Sequence, residues 1–162
     1  MKKIIVTLML AMFVAVSGLI VFAQDKKGVK TSDVTNVVNA YKGKDGVTVF
    51  SIGNLGMSMV KGLAKLSDDP EAAKIMKGLD KMVIVEYAEA ADEIKAEFSD
   101  RISNVLVNAE TIMSVRESGT TMNMYGTISE TGDTIGDLII FVPSDCALIC
   151  FFGKISADVM GF

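Results

Sequence analysis

The residues in this chain that are equipped for chemistry fall into four small groups. Cys146 and Cys150 are its two thiols. On a strand, four residues span about 13 Å, whereas bridged Cα atoms lie within about 7 Å, so the two do not bridge each other there. They read as small core residues facing the same way as Leu148 and Phe152, because buried thiols behave as apolar groups. The sharper alternative is a redox or intermolecular disulfide in an oxidising compartment. Met57-x-Met59 and Met122-x-Met124 have thioethers spaced as in soft-metal sites that hold Cu(I). Against that, Met122 and Met124 fall on the dry side of an alternating strand and Met59 on an apolar helix stripe, where methionine fills gaps. Glu89, Glu93 and Glu97 recur every fourth residue on one helical face, and Glu130, Asp133 and Asp137 crowd one turn. Both sets offer the oxygen ligands calcium takes, yet neither has the spacing of a calcium loop; a solvated helix face and an ordinary turn account for them. Gly53-Asn54-Leu55-Gly56 sits between a strand and a helix, but it lacks the Lys-Ser/Thr of a P-loop and the third glycine of a dinucleotide fingerprint. These glycines read as turn residues, with anion binding at the helix start as the alternative.

Histidine is absent from all 162 residues. That removes Ser-His-Asp and Cys-His nucleophile systems, the commonest general base and most zinc and iron sites. Paired carboxylates remain as a route to catalysis, but they must face each other across a cleft, and the sequence does not show such a pair. No catalytic, cofactor-binding or metal residue is assigned, and no cofactor is implied.

The elements that would position these groups are organised around the stretch from Thr111 to Phe152. Met122, Met124, Gly126 and Ile128 alternate with Thr121, Asn123, Tyr125 and Thr127, which predicts a half-buried strand. Leu138 to Val142 and Cys146 to Phe152 are apolar throughout, as in strands covered on both faces at the middle of a sheet. Ser118-Gly119, Glu130 to Asp133 and Pro143-Ser144-Asp145 provide short turns. Strands joined so tightly run antiparallel, predicting a four-strand meander.

Upstream, Val34, Val37, Val38 and Tyr41 recur at helical spacing from Thr31, with Ser32 or Asp33 as a possible cap and Gly43 as the stop. Val47 to Ile52 predicts a first strand. A helix follows in which Met59, Val60, Leu63 and Leu66 share a face. Asp69, Pro70, Glu71 and Gly78 punctuate a short second helix. Leu79 to Tyr87 predicts another strand. The longest helix is expected from about Ala90 to Val107, burying Ile94, Phe98, Ile102, Val105 and Leu106. This order predicts an α+β domain: a largely antiparallel sheet ending in the four-strand C-terminal meander, with helices packed on one face. The helical crossover between the first two strands is expected to make them parallel or to separate them in the sheet.

The first residues stand apart. Lys2 and Lys3 precede an apolar run from Ile4 to Phe22, and Val21-Phe22-Ala23 presents small residues where a signal peptidase reads, so residues 1–23 are expected to be a signal peptide cleaved after Ala23. An uncleaved anchor is the alternative, since the run approaches the roughly 20 residues that span a bilayer. Cleavage leaves 139 residues: a flexible lead-in at 24–30 and a single α+β domain at 31–162. Losing Lys2 and Lys3 lowers the basic count from 16 to 14 against 20 acidic residues, a net charge of −6. An acidic surface repels phosphates and anionic headgroups, so neither nucleic acid nor, after cleavage, a membrane is expected as a partner.

Taken together, the export signal, Gly46-Val47-Thr48-Val49-Phe50-Ser51-Ile52, Asp68-Asp69-Pro70-Glu71 leading to Gly78-Leu79-Asp80-Lys81-Met82-Val83-Ile84-Val85, and the ending Leu148-Ile149-Cys150-Phe151-Phe152-Gly153-Lys154-Ile155-Ser156 resemble a family of exported Bacteroidetes proteins, a domain of unknown function numbered four-two-five-two. The resemblance covers nearly the whole mature chain and rests on structural rather than catalytic motifs. It implies no reaction and maps no site residue. The location of some members near extracytoplasmic-function sigma factors implies a link to envelope signalling. The expected function is an exported, periplasmic or extracellular, non-enzymatic module that binds a protein partner or small apolar ligand. A regulatory component of an envelope stress or sigma-factor circuit, and more distantly a carboxylate-only hydrolase, are the alternatives.

Overall fold

The computed structural model describes residues 28–64, 77–117 and 119–157, with side chains at 60–64 left aside. The expected signal peptide, the punctuation at Asp69-Pro70-Glu71 and the stripe positions Val60, Leu63 and Leu66 lie outside what is described. In chain order the elements are α1 (Thr31–Tyr41), β1 (Thr48–Ile52), α2 (Asn54–Ala64), β2 (Leu79–Glu86), α3 (Asp92–Leu106), β3 (Thr111–Glu117), β4 (Thr120–Ile128), β5 (Thr134–Val142), a 3-10 turn (Pro143–Asp145) and β6 (Ala147–Ser156). The strands form one six-stranded sheet in the order β1-β2-β6-β5-β4-β3, and every neighbouring pair is antiparallel.

The meander is as predicted. Turns of two to five residues join β3 to β6 in succession, and β5 and β6 are interior strands whose apolar runs are covered on both faces. Alternation sorts them: Ile139, Phe141, Leu148, Cys150 and Phe152 face one core, while Leu138, Ile140, Val142, Ala147 and Ile149 face the other. On the first face, α1 contributes Val34, Val38 and Tyr41, and α3 contributes Phe98, Ile102 and Leu106. Phe98 is the hub of this layer. It meets the Tyr41 ring edge-on at 5.1 Å between centroids and lies 4.6 Å from Tyr87, geometries favoured by the ring quadrupoles.

Three expectations require correction. Helices are not confined to one face, because Met57 of α2 enters the second core; β5 and β6 are apolar on both sides, so a single helical layer would leave half of each strand wet. β1 and β2 are neither parallel nor separated, since Thr48 pairs with Glu86 and Ile52 with Met82. The chain between them leaves and re-enters the sheet at the same end, so it makes no crossover from one end of the sheet to the other. Finally, Ser32 and Asp33 do not cap α1. Lys30 occupies the cap position without a side-chain hydrogen bond, and the Thr31 hydroxyl donates instead to Asp137 Oδ2 at 2.8 Å.

That contact belongs to a junction where the sheet changes register. Asp137 has φ 49° and stands at the break between Gly136 and Leu138 in the β5–β6 ladder. Its Oδ1 accepts from the Gly153 N–H at 3.0 Å. Gly153 itself has φ 127°, and a Cβ there would overlap the Gly78 carbonyl, so only glycine fits where β6 passes the start of β2. One carboxylate thus ties α1, β5 and β6 together.

Candidate functional site

The groups singled out by residue type end up apart. Cys150 is fully buried and Cys146 half-buried; both are free thiols against the first core. Cys146 does not begin β6 as expected. It closes the 3-10 turn in the left-handed region at φ 53°, its N–H bonded to the Pro143 carbonyl at 3.2 Å and its carbonyl accepting from Tyr87 at 3.0 Å. Burial raises the pKa of both thiols, that of Cys150 to about 12, with the nearby Lys81 ammonium opposing the shift only in part. A thiol held neutral and out of solvent is a poor nucleophile.

The methionines divide as well. Met124 is buried and Met122 packs beside it, but Met57 and Met59 do not act together: Met57 is 1% exposed and Met59 is 76% exposed. Successive helical residues turn by about 100°, so the two point in nearly opposite directions, and the sheet takes Met57. The apolar stripe expected to include Met59 is corrected accordingly. Of the acidic groups, Glu89 precedes α3, and Glu97 pairs with Arg101 at 3.0 Å on the helix surface. Asp133 closes the β4–β5 turn by accepting from the Ser129 and Thr131 hydroxyls, which hold its carboxyl below the usual range. Asp137 is committed to Thr31 and Gly153. Among the described residues, no three His, Cys, Asp or Glu side chains are grouped to hold a metal ion. Gly53 accepts from the Met57 N–H at 2.8 Å as the first bond of α2.

A different set of residues comes together. A groove of about 50 Å³ lies between α1 and the strands β1, β2 and β6. Its α1 wall is Thr35, Asn39 and Lys42, one face at i, i+4 and i+7, with Val34 and Val38 beneath. Its sheet wall is made of alternate residues: Val49 and Ser51, Lys81 and Val83, Cys150 and Phe152. Ser51, Val83 and Cys150 are register partners in one row across three strands, and Lys81 faces Phe152 in the next. Lys81 Nζ stands 5.6 Å from the Phe152 ring centroid, a cation over an aromatic face. Sequence reasoning did not assemble this groove. The legible signals were a lysine in an otherwise apolar alternating strand and a polar row beside the α1 stripe.

A second exposed feature lies where β1 runs into α2. Phe50 is 53% exposed and Leu55 89% exposed, and Leu55 shares the outer face of α2 with Met59. β1 ends the sheet, and its five residues, Thr48 to Ile52, include neither charge nor proline. The opposite edge, β3, carries Arg116 and Glu117 and a register break at Thr111/Met113. Charges and bulges keep other strands from pairing with an edge; β3 has both, and β1 has neither and pairs on one side only among the described residues.

Among the described residues, no helix is long and apolar enough to cross a membrane. No curated protein and no solved structure matches the chain. Residues 41–160, from the last residue of α1 through β6 and beyond, match the model of a family described as a domain of unknown function, and the chain belongs to that family, DUF4252.

Proposed function

We propose that this protein is an exported, non-enzymatic module of the cell envelope that binds a protein partner by accepting an extended apolar segment of that partner along β1. The observation that carries this reading is the asymmetry of the two sheet edges: β1 lacks every protective device that β3 has, and Phe50, Leu55 and Met59 expose apolar surface beside it. An added strand gains main-chain hydrogen bonds from such an edge and specificity from the flanking side chains. The non-enzymatic part is supported by the lack of histidine, by thiols whose pKa burial raises, and by a groove with no carboxylate among its described lining residues. The acidic balance and the apolar leader support export.

The test is capture from envelope extract with the wild type and three variants. Phe50→Lys places a charge on the open edge, Leu55→Glu with Met59→Glu charges the outer face of α2, and Arg116→Ala at the other edge is the control. A protein retained by wild type and by Arg116→Ala but lost with both β1–α2 variants supports the reading. Retention of the same proteins by all variants overturns it, as does sedimentation showing that the edge is taken by a second copy.

A further inference from the structure

The groove between α1 and the sheet points to a second binding activity, independent of the β1 edge because it lies on the opposite face from Phe50. We propose that it binds a short aliphatic carboxylate, with the carboxylate between Lys42 and Lys81 and the hydrocarbon tail on Val83, Cys150 and Phe152. Charge is the first argument. The chain has 20 acidic residues against 16 basic ones, yet the described lining of this groove contains two lysines and no acid. The ion pairs among the described residues join Lys95 to Asp92 and Arg101 to Glu97 and use neither groove lysine. Both lysines line the same cleft, so an anion entering it is attracted by two positive charges. α1 begins beside Gly153 through the Asp137 bridge and ends toward the start of β1, so Lys81 and Lys42 approach from opposite ends.

The second argument is the floor. Val34, Val38, Val83, Cys150 and Phe152 offer no hydrogen bond beyond a weak thiol donor, so a compact ion such as phosphate would lose water against them without replacement. A carboxylate with a hydrocarbon tail satisfies both halves: Thr35, Asn39 and Ser51 supply neutral donors near the charge, and the tail covers apolar surface. Volume sets the length. The groove opens to solvent, and its space of about 50 Å³, about a third of the 150 Å³ that accommodates benzene, takes about two carbons of the tail while the carboxylate stays at the mouth.

Chemical-shift titration of the protein purified from cells expressing the full chain tests this, with butyrate, butanol and inorganic phosphate as probes. Butyrate is expected to move the amide signals of Thr35, Asn39, Ser51 and Val83 saturably. Butanol is expected to move none of them at the same concentration, and phosphate to bind about tenfold more weakly or not at all. Lys81→Met keeps the stem on Phe152 and removes the charge; it is expected to weaken butyrate about tenfold, as losing one charge-assisted hydrogen bond implies. Lys42→Met, at the exposed end of α1, is expected to do the same and serves if the Lys81 variant fails to fold. Ser51→Leu, which fills the groove from the edge strand, is expected to abolish binding. Equal binding of phosphate, unchanged affinity in both lysine variants, or shifts confined to residues outside the groove overturns the proposal.

Discussion

Asp137 is the residue whose removal most directly tests how this fold is fastened. It holds a left-handed backbone conformation at φ 49°, accepts from Thr31 at 2.8 Å and from the Gly153 N–H at 3.0 Å, and so joins the start of α1 to the two central strands. Replacing it with alanine removes both hydrogen bonds, each contributing about 1.5 kcal/mol for a partly buried carboxylate acceptor. It also places a Cβ without a compensating polar group in the left-handed region, a further cost of about 1 kcal/mol. The expected loss for Asp137→Ala is therefore about 4 kcal/mol, a large share of the 5–15 kcal/mol typical of a domain. Asparagine tolerates the same backbone, keeps an oxygen for Gly153 and turns an amide toward the Thr31 oxygen, so Asp137→Asn is expected to cost only about 1 kcal/mol, the charge assistance. Thr31→Val is expected to cost about 1.5 kcal/mol alone and almost nothing in the Asp137→Ala background. Urea unfolding followed by circular dichroism measures all four, with midpoints compared at a common m-value. The reasoning is refuted if Asp137→Ala unfolds within about 0.5 kcal/mol of wild type, or if asparagine proves as costly as alanine, because the two retained polar groups would then contribute nothing.

Two further predictions concern the first core and its thiols. Phe98 is fully buried between Tyr41 and Tyr87; Phe98→Ala is expected to destabilise by about 3–5 kcal/mol and Phe98→Leu by far less, and equal midpoints for the two would show that the aromatic layer does not hold α1 and α3 to the sheet. Thiol titration at pH 8 is expected to find Cys150 unreactive in the native protein and both cysteines reactive after unfolding, and fast native labelling of Cys150 contradicts its burial. The same thiol makes stability sensitive to alkali. Its folded pKa is raised from about 9 to about 12, so the unfolded chain loses this proton first. The stability it supports is present below pH 9 and falls as pH rises from there toward 12. Cys150→Ala is expected to flatten that part of the pH profile, measured by urea midpoint, after allowance for the tyrosines whose pKa burial also raises.

The sequence by itself determined which segments become which elements. Alternation at Met122 to Ile128, the unbroken apolar runs at Leu138 to Val142 and in β6, and the helical spacing of Phe98, Ile102 and Leu106 are local patterns with periods of two and 3.6, and short turns carry their own chemistry. These patterns predicted the meander, the long helix and the core placement of Cys150 and Met124. Tertiary structure alone decided the rest, because it depends on which distant residues become neighbours. That β1 joins β2 antiparallel, that α2 places Met57 on the face opposite α1 and α3, and that Met57 rather than Met59 turns inward follow from how two apolar sheet faces are shared among distant elements. No local period encodes that choice. The same holds for both sites. β1 is an edge of the described sheet only because it stands at one end of the strand order, and the groove exists only because pairing brings Ser51, Val83 and Cys150 into one row beneath Thr35, Asn39 and Lys42.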